Sequence, residues 1–195
     1  MAHWYNVFMS ELETNQLEDE KPTERASLQE RAILIIVAIV VILLDQLTKW
    51  LVESNLAIGD VWEPSVALAP LFRVVHTFNT GAAFGLFSGG SLFFAITAVV
   101  VSIAIIFFNH RLEGGNIWLR VALGLQLGGA LGNFIDRVRI GHVTDFVDLG
   151  PWPFLFNVAD LAVVTGAVVL AVLVWQESRE EQKQKQQAEA NSSVE

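Results

Sequence analysis

Apolar residues in this chain fall into long unbroken runs rather than the short alternations of a soluble domain. Residues 32–44, AILIIVAIVVILL, carry no charge, and the run continues through DQLTKWLV to Val52. That is about 20 residues, or about 30 Å of helix, enough to cross a hydrocarbon core. Residues 91–108 form a second uncharged run. A third, 117–135, has Arg120 as its only charge, and a fourth, 154–175, has only Asp160. The pattern predicts four transmembrane helices. Arg120 sits close enough to the end of its run to snorkel to the interface.

The segments between the runs differ in kind. Residues 53–82 mix glycine, proline and polar residues with β-leaning stretches such as LFRVVHTF, which predicts an ordered extramembrane loop containing some strand. Polar tails at 1–31 and 176–195 flank a membrane body at 32–175. The acidic N-terminal tail is expected to be disordered and the C-terminal tail frayed or disordered. The N-terminal tail lacks the basic-then-apolar order of a cleavable signal peptide, so the first run is expected to stay as an anchor. Basic residues of the tails, Arg111 and Arg120 outnumber Lys49, Arg73, Arg137 and Arg139 on the other side, which places both termini in the cytoplasm. Asp45 and the 53–90 and 136–156 segments then face outward. Asp160 is expected about six residues, or about 9 Å, below the outer end of its helix.

Composition narrows the chemistry. The chain is 53% hydrophobic and has a mean hydropathy of +0.47, too apolar for a soluble domain of this size. A net charge of −9 argues against nucleic acid as a partner. The absence of cysteine excludes disulfides, thiolate zinc sites and a cysteine nucleophile. None of His3, His76, His110 and His142 accompanies a G-x-S-x-G turn or an H-E-x-x-H helix. His76 and His142 lack a third ligand and are expected to be polar loop residues, so no metal or other cofactor is expected.

What remains is a set of polar residues at one membrane boundary: Asp45, Asn79, Asn133, Asp136, Arg137, Asp145, Asn157 and Asp160. Ionisable groups in hydrocarbon cost several kcal/mol, and a polar pocket is the economical reason to keep them. Two carboxylates close enough to share a proton would let one activate water while the other donates. On the residues alone Asp136, Asp145, Asp148 and Asp160 are all candidates for such a pair. Plainer readings stand beside them. Asp45 and Lys49 neutralise each other at i, i+4. Asp136 pairs with Arg137, Asp160 locks two helices through Arg137 or Arg139, and Asp145 is an ordinary loop acid. Gly124, Gly128 and Gly132 form a small-residue stripe for close helix packing, within or between chains.

GGALGNFIDRVRIGHVTDFVD at 128–148 and FNVAD at 156–160 resemble the lipoprotein signal peptidase (signal peptidase II) family, and DQLTK at 45–49 and NTGAAFG at 79–85 resemble its two remaining signatures. The resemblance covers the membrane body and omits both tails. It implies an all-α membrane protein with four transmembrane helices and a small extracytoplasmic β-like cradle between the first two spans. It implies an aspartyl endopeptidase of the bacterial inner membrane that needs no metal. Its substrates would be diacylglyceryl-modified prolipoproteins within the membrane lipid, cleaved before the lipidated cysteine. By position the catalytic pair falls on Asp145 and Asp160. Asp45, Lys49, Asn79, Asn133, Asp136, Arg137 and Asn157 take substrate-binding or supporting roles, with Asp136 ordering Arg137 and the loop after it. Asn157, three residues before Asp160, is expected on the same helix face. Two departures are Gly85, where the family pattern expects serine, and the long acidic tail. The competing readings are a proton- or ion-coupled carrier using Asp45, Asp136 and Asp160, and a non-catalytic scaffold.

Overall fold

The computed structural model describes residues 26–81, 90–112, 114–152 and 154–192. Most of the acidic N-terminal tail and Gly85 lie outside the described residues. Helix α1 (Leu28–Asn55) starts at a reciprocal cap: Ser27 Oγ accepts from Glu30 N–H at 3.2 Å, and Glu30 accepts from Ser27 N–H at 2.8 Å. Strands β1 (Val61–Trp62) and β2 (Arg73–Asn79) follow, then helices α2 (Ser91–Asn109) and α3 (Ile117–Ile140). After α3 come β3 (Val143–Asp148), β4 (Leu155–Phe156) and helix α4 (Val158–Ser192). Gly141 ends α3 at φ 82°, a left-handed cap that only glycine adopts without strain.

Among the described residues three helices, α1, α2 and α4, are long and apolar enough to cross a membrane. α3 lies among them and packs against all three. Large apolar residues such as Leu43, Leu47, Phe93, Ile103 and Val168 point outward and are exposed, the reverse of a soluble fold. The glycine stripe acts within the chain. A Cβ on Gly124 would lie 2.7 Å from the Leu34 carbonyl, and one on Gly128 would lie 2.6 Å from Val41 Cβ, so these glycines let α3 close on α1. Gly129 does the same toward Ala159 of α4.

The four strands make one antiparallel sheet in the order β1-β2-β3-β4. The expected strand segment supplies only half of it. β3 and β4 come from the connection between α3 and α4, because a two-stranded ribbon alone buries too little to hold its shape. A bulge between Val74 and Thr77 resets the register so that Thr77 pairs with Asp145 and Asn79 with Val143.

Several expected boundaries move. α4 begins at Val158, because Leu155–Phe156 pair with Val147–Asp148, so Asp160 lies in the first helical turn rather than about 9 Å down. α1 runs on to Asn55, which leaves Asp45 deeper in its helix than the apolar run suggested. The C-terminal tail, expected to fray, continues α4 to Ser192. Its Glu, Gln, Lys and Ala residues are strong helix formers, and Glu181 precedes Lys185 by four. Arg120 does not snorkel. It is buried and caps the end of α2, donating to Asn109 Oδ1 at 2.6 Å and to the Leu112 carbonyl at 3.3 Å.

Candidate active site

The C-terminal ends of α1 and α3, the start of α4 and the sheet meet around two tiers of polar residues. The lower tier is fully buried. Lys49 Nζ lies 2.8 Å from Asp45 Oδ2 and 2.8 Å from Asp136 Oδ2, all three side chains at 0% exposure. Its third donor reaches Asn133 Oδ1 at 3.0 Å, so the ammonium is fully used. Gln46 Nε2 joins Asp136 at 2.9 Å to Asp45 at 3.2 Å. Asp45 Oδ1 accepts from Ala159 N–H at 2.9 Å, and Asp136 Oδ2 accepts from Thr144 N–H at 3.2 Å. One cation and two anions thus tie α1 and α3 to the first residues of α4 and β3. Breaking such a set from one side costs about 3–5 kcal/mol.

The upper tier is built on Asn157, which is buried and caps α4. Its Oδ1 accepts from Asp160 N–H at 2.9 Å while Asp160 Oδ2 accepts from Asn157 N–H at 3.4 Å, a reciprocal cap. Because Oδ1 faces a backbone donor, the Asn157 amide nitrogen faces Asp145, donating to Oδ1 at 2.7 Å. Asn79 is two residues beyond Thr77, the partner of Asp145, and so lies on the same face of the sheet. It donates to Asp145 Oδ2 at 3.2 Å. Asn133 Nδ2 donates to Asp160 Oδ1 at 2.7 Å. Both carboxylates therefore border Asn157, and each has amide donors on both oxygens.

A cavity of about 600 Å³ opens on this tier, lined by Asn79, Asn133, Arg137, Asp145 and Asp160 and walled by Trp152, Phe154, Leu155, Phe156, Val163 and Val164. Few polar groups in an apolar wall is the usual make-up of a ligand pocket. Burial pushes Asp145 up to about 7, helped by the neighbouring Asp160 charge and opposed by the amides of Asn79 and Asn157 and by the Lys49 charge. A carboxyl near 7 can give and take a proton at neutral pH.

The structure brings together Asn79, Asn133, Arg137, Asp145 and Asp160 at the cavity, with Asn157 directly behind. Asp45, Lys49 and Asp136 lie beneath and do not line it. Asp136 pairs with Lys49 rather than Arg137, whose guanidinium donates to the Asn133 carbonyl at 3.1 Å and the Gly81 carbonyl at 3.3 Å and sits over the Phe94 ring. Asp136 accepts from Thr144 N–H in the segment after it. Asp148 leaves the field of candidates: Arg73 holds it through Nε at 2.9 Å, and its other oxygen takes the Gly150 N–H at 2.9 Å. His76 bonds the Leu56 carbonyl at 2.8 Å, and His142 packs on Phe78. Among the described residues no three His, Asp or Glu side chains converge as a metal centre. Sequence reasoning missed Gln46 and the aromatic wall. Gln46 carries a signal, being an uncharged polar residue beside Asp45 in an otherwise apolar run.

A buried and a half-buried carboxylate flanking Asn157, at the edge of an apolar helical bundle, fit an acid–base centre of the aspartic hydrolase kind within a membrane protein. Comparison with known proteins gives that class a family. The family model for signal peptidase (SPase) II matches residues 37–176. A lipoprotein signal peptidase of Halothermothrix orenii is 41% identical over 145 residues, covering 74% of this chain and 96% of that protein. One of Staphylococcus aureus is 34% identical, covering 71% and 85%. A solved bacterial membrane enzyme, determined by the in meso method at 2.3 Å, superimposes with a TM-score of 0.71 at 31% identity, covering 80% of this chain and 93% of that one. The chain belongs to the signal peptidase II family and is a peptidase. The carrier reading gains no support from these relatives.

Proposed function

We propose that the protein spans the bacterial inner membrane four times with both termini in the cytoplasm. In this reading it removes the signal peptide from diacylglyceryl-modified prolipoproteins by hydrolysing the bond before the lipidated cysteine, with Asp145 and Asp160 as the catalytic pair. The observation that carries the reading is the placement of those two carboxylates on one apolar-walled cavity, that of Asp145 bonded by the Asn157 side-chain amide and that of Asp160 by the Asn157 backbone N–H.

α3 serves as the fourth span because Arg120 is turned onto the end of α2 and Asp136 onto Lys49, while Arg137 and Arg139 lie in its last turn at the sheet end. Exposed tryptophans support the boundaries. Trp50, Trp62 and Trp152 lie toward the sheet end and Trp118 and Trp175 toward the other, as in interfacial belts. The cavity then lies at the shallow outer edge, where a lipid-anchored substrate keeps its acyl chains in the bilayer while its peptide bond meets water.

In the reaction one carboxylate takes a proton from water as the water oxygen bonds to the scissile carbonyl carbon, and the carbonyl oxygen receives the proton of the other carboxyl. The carbon–nitrogen bond then breaks. The leaving nitrogen takes the proton held by the first group, and the second recovers its proton from a hydroxyl of the tetrahedral intermediate. Lys49, Asp45 and Asp136 brace the pair from below, and Asn79, Asn133, Arg137 and Asn157 position the pair and the peptide.

The test is cleavage of a purified diacylglyceryl prolipoprotein by wild type beside Asp145→Asn and Asp160→Asn. Each variant should lose at least about a thousandfold in turnover while remaining folded. Near-normal turnover by either would refute the assignment.

A further inference from the structure

Two neighbouring carboxylates sharing one proton leave open which of them carries the charge, and the hydrogen-bond network bears on that choice. Lys49 Nζ can only donate, so Asn133 must present its carbonyl oxygen to it, at 3.0 Å. The same oxygen accepts from Asn157 Nδ2 at 3.1 Å. The Asn133 amide nitrogen is thereby turned toward Asp160, at 2.7 Å. An ammonium at the head of this chain polarises the amide and strengthens its N–H as a donor. Asp160 also occupies the first turn of α4, where the helix N-terminus favours negative charge. Among the described residues the side-chain hydrogen bonds to Asp145 come from neutral amides, the longer at 3.2 Å, and the Lys49 charge reaches it through space rather than through the Asn133 amide.

Resting on the reading of Asp145 and Asp160 as the catalytic pair, we propose that Lys49, acting through Asn133, is the positioning residue that keeps the negative charge of the pair on Asp160 and leaves the proton on Asp145. Asp160 is then the base that takes the first proton from water. Asp145 is the acid that protonates the carbonyl oxygen and later recovers its proton. All atoms and protons balance as in the reaction above.

The charged groups around this relay come from every neighbouring element. Asp45 of α1 opposes negative charge on Asp160, while Lys49 favours it, and Asp136 of α3 is paired with Lys49 at 2.8 Å. Arg137 lines the cavity but donates to the carbonyls of Asn133 and Gly81. Arg139, 3.9 Å from Asp136, is paired with Glu53 at 2.8 Å. Lys49 is thus the cation wired to the pair by hydrogen bonds, and Asp45 is the anion whose removal would act in the opposite sense.

The experiment is the pH dependence of kcat for cleavage of a diacylglyceryl prolipoprotein, with folding followed by thermal melting. Asp45→Asn/Lys49→Gln removes one charge of each sign, so the net charge of the lower tier is unchanged, and the introduced glutamine amide can still donate to Asn133. Its acidic limb should move up by about one pH unit, with KM changed less than about threefold. Lys49→Arg keeps the charge and should keep the wild-type acidic limb even if kcat falls. If the double variant does not fold, Asp45→Asn alone serves, and its acidic limb should move down. An acidic limb unmoved in the folded double variant or, in its stead, in folded Asp45→Asn, or a displaced alkaline limb in its place, overturns the relay and leaves Lys49 a structural tie. Failure of the underlying assignment is read from different proteins, as full turnover by Asp145→Asn or Asp160→Asn.

Discussion

Replacing Asp145 by asparagine should change the pH dependence of stability, and the size of the change follows from the site. Burial and the nearby Asp160 charge raise Asp145 from an ordinary 3.8 to about 7 in the folded protein. A carboxyl raised on folding contributes its full stability below the unfolded value and loses it as pH rises through the folded one. At about 1.4 kcal/mol for each pH unit in that window, the folded protein loses on the order of 3 kcal/mol to this group between pH 5 and pH 9. Asparagine does not ionise and suffers no such loss. It does turn an amide N–H₂ toward Asn157 or Asn79, both of which present donors, and that mismatch costs about 1–3 kcal/mol at every pH. The two effects separate in a melting experiment on detergent-solubilised protein followed by tryptophan fluorescence. The difference in Tm between Asp145→Asn and wild type should swing in favour of the variant by roughly 6–12 °C from pH 5 to pH 9. A lost hydrogen bond alone gives a constant difference. A gap that stays within about 2 °C over that range, well short of the swing, would refute the argument that Asp145 carries a displaced proton.

Turnover of a lipidated precursor by wild type should fall as pH rises through about 7, where Asp145 loses its proton, and a pH profile flat to pH 9 would contradict its role as the acid. Lys49→Met strands Asp45 and Asp136 without their cation and should cost about 3–5 kcal/mol, seen as a large drop in Tm or folded yield, with partial recovery on adding Asp45→Asn. Gly128→Val drives a side chain into Val41 of α1 and should destabilise by about 1–3 kcal/mol or more, whereas an unchanged Tm would mean that α1 and α3 are not in contact there. Truncation after Gln176 removes a stretch whose described residues are exposed helix, and it should leave turnover within about twofold of wild type.

Hydropathy locates α2 and α3 closely, because a helix in lipid satisfies its own backbone and advertises itself by composition alone. It fails at the start of α4, where Phe154, Leu155 and Phe156 read as helix but Leu155 and Phe156 pair with β3, a decision taken by residues distant in the chain. The same limit explains the two acids that residue types could not separate. Asp145 and Asp148 are three apart on β3 and so point to opposite faces of the strand. Which face holds the cavity depends on Arg73 across the sheet, which claims Asp148, and on Asn157, which claims Asp145. The expected partner of Asp136 fails for a similar reason. Arg137 is adjacent in sequence, but neighbouring positions on a helix point apart, and Lys49 comes from another helix. Motif resemblance reaches Asp145 and Asp160 without any of this geometry.

Paired and unpaired charges are kept apart in this bundle, and the separation bears on how the site works. A lysine bonded directly to Asp145 or Asp160 would hold that carboxylate ionised and a poor base, since an adjacent opposite charge lowers its proton affinity. The lower tier uses its ammonium on Asp45 and Asp136, where fixed charge brings helix ends together, and that ammonium is hydrogen-bonded to the upper tier through the neutral amide of Asn133. Arg137 comes closer, at the cavity wall, but backbone carbonyls and the Phe94 ring occupy it. Among the described residues an asparagine amide thus stands between the lower-tier ammonium and Asp160, and asparagine amides hold both candidate carboxylates, fixing position through hydrogen bonds while leaving proton affinity adjustable. Asparagine suits this because its amide, on a short side chain, offers a donor and an acceptor in one rigid plane, so pinning one end determines the other.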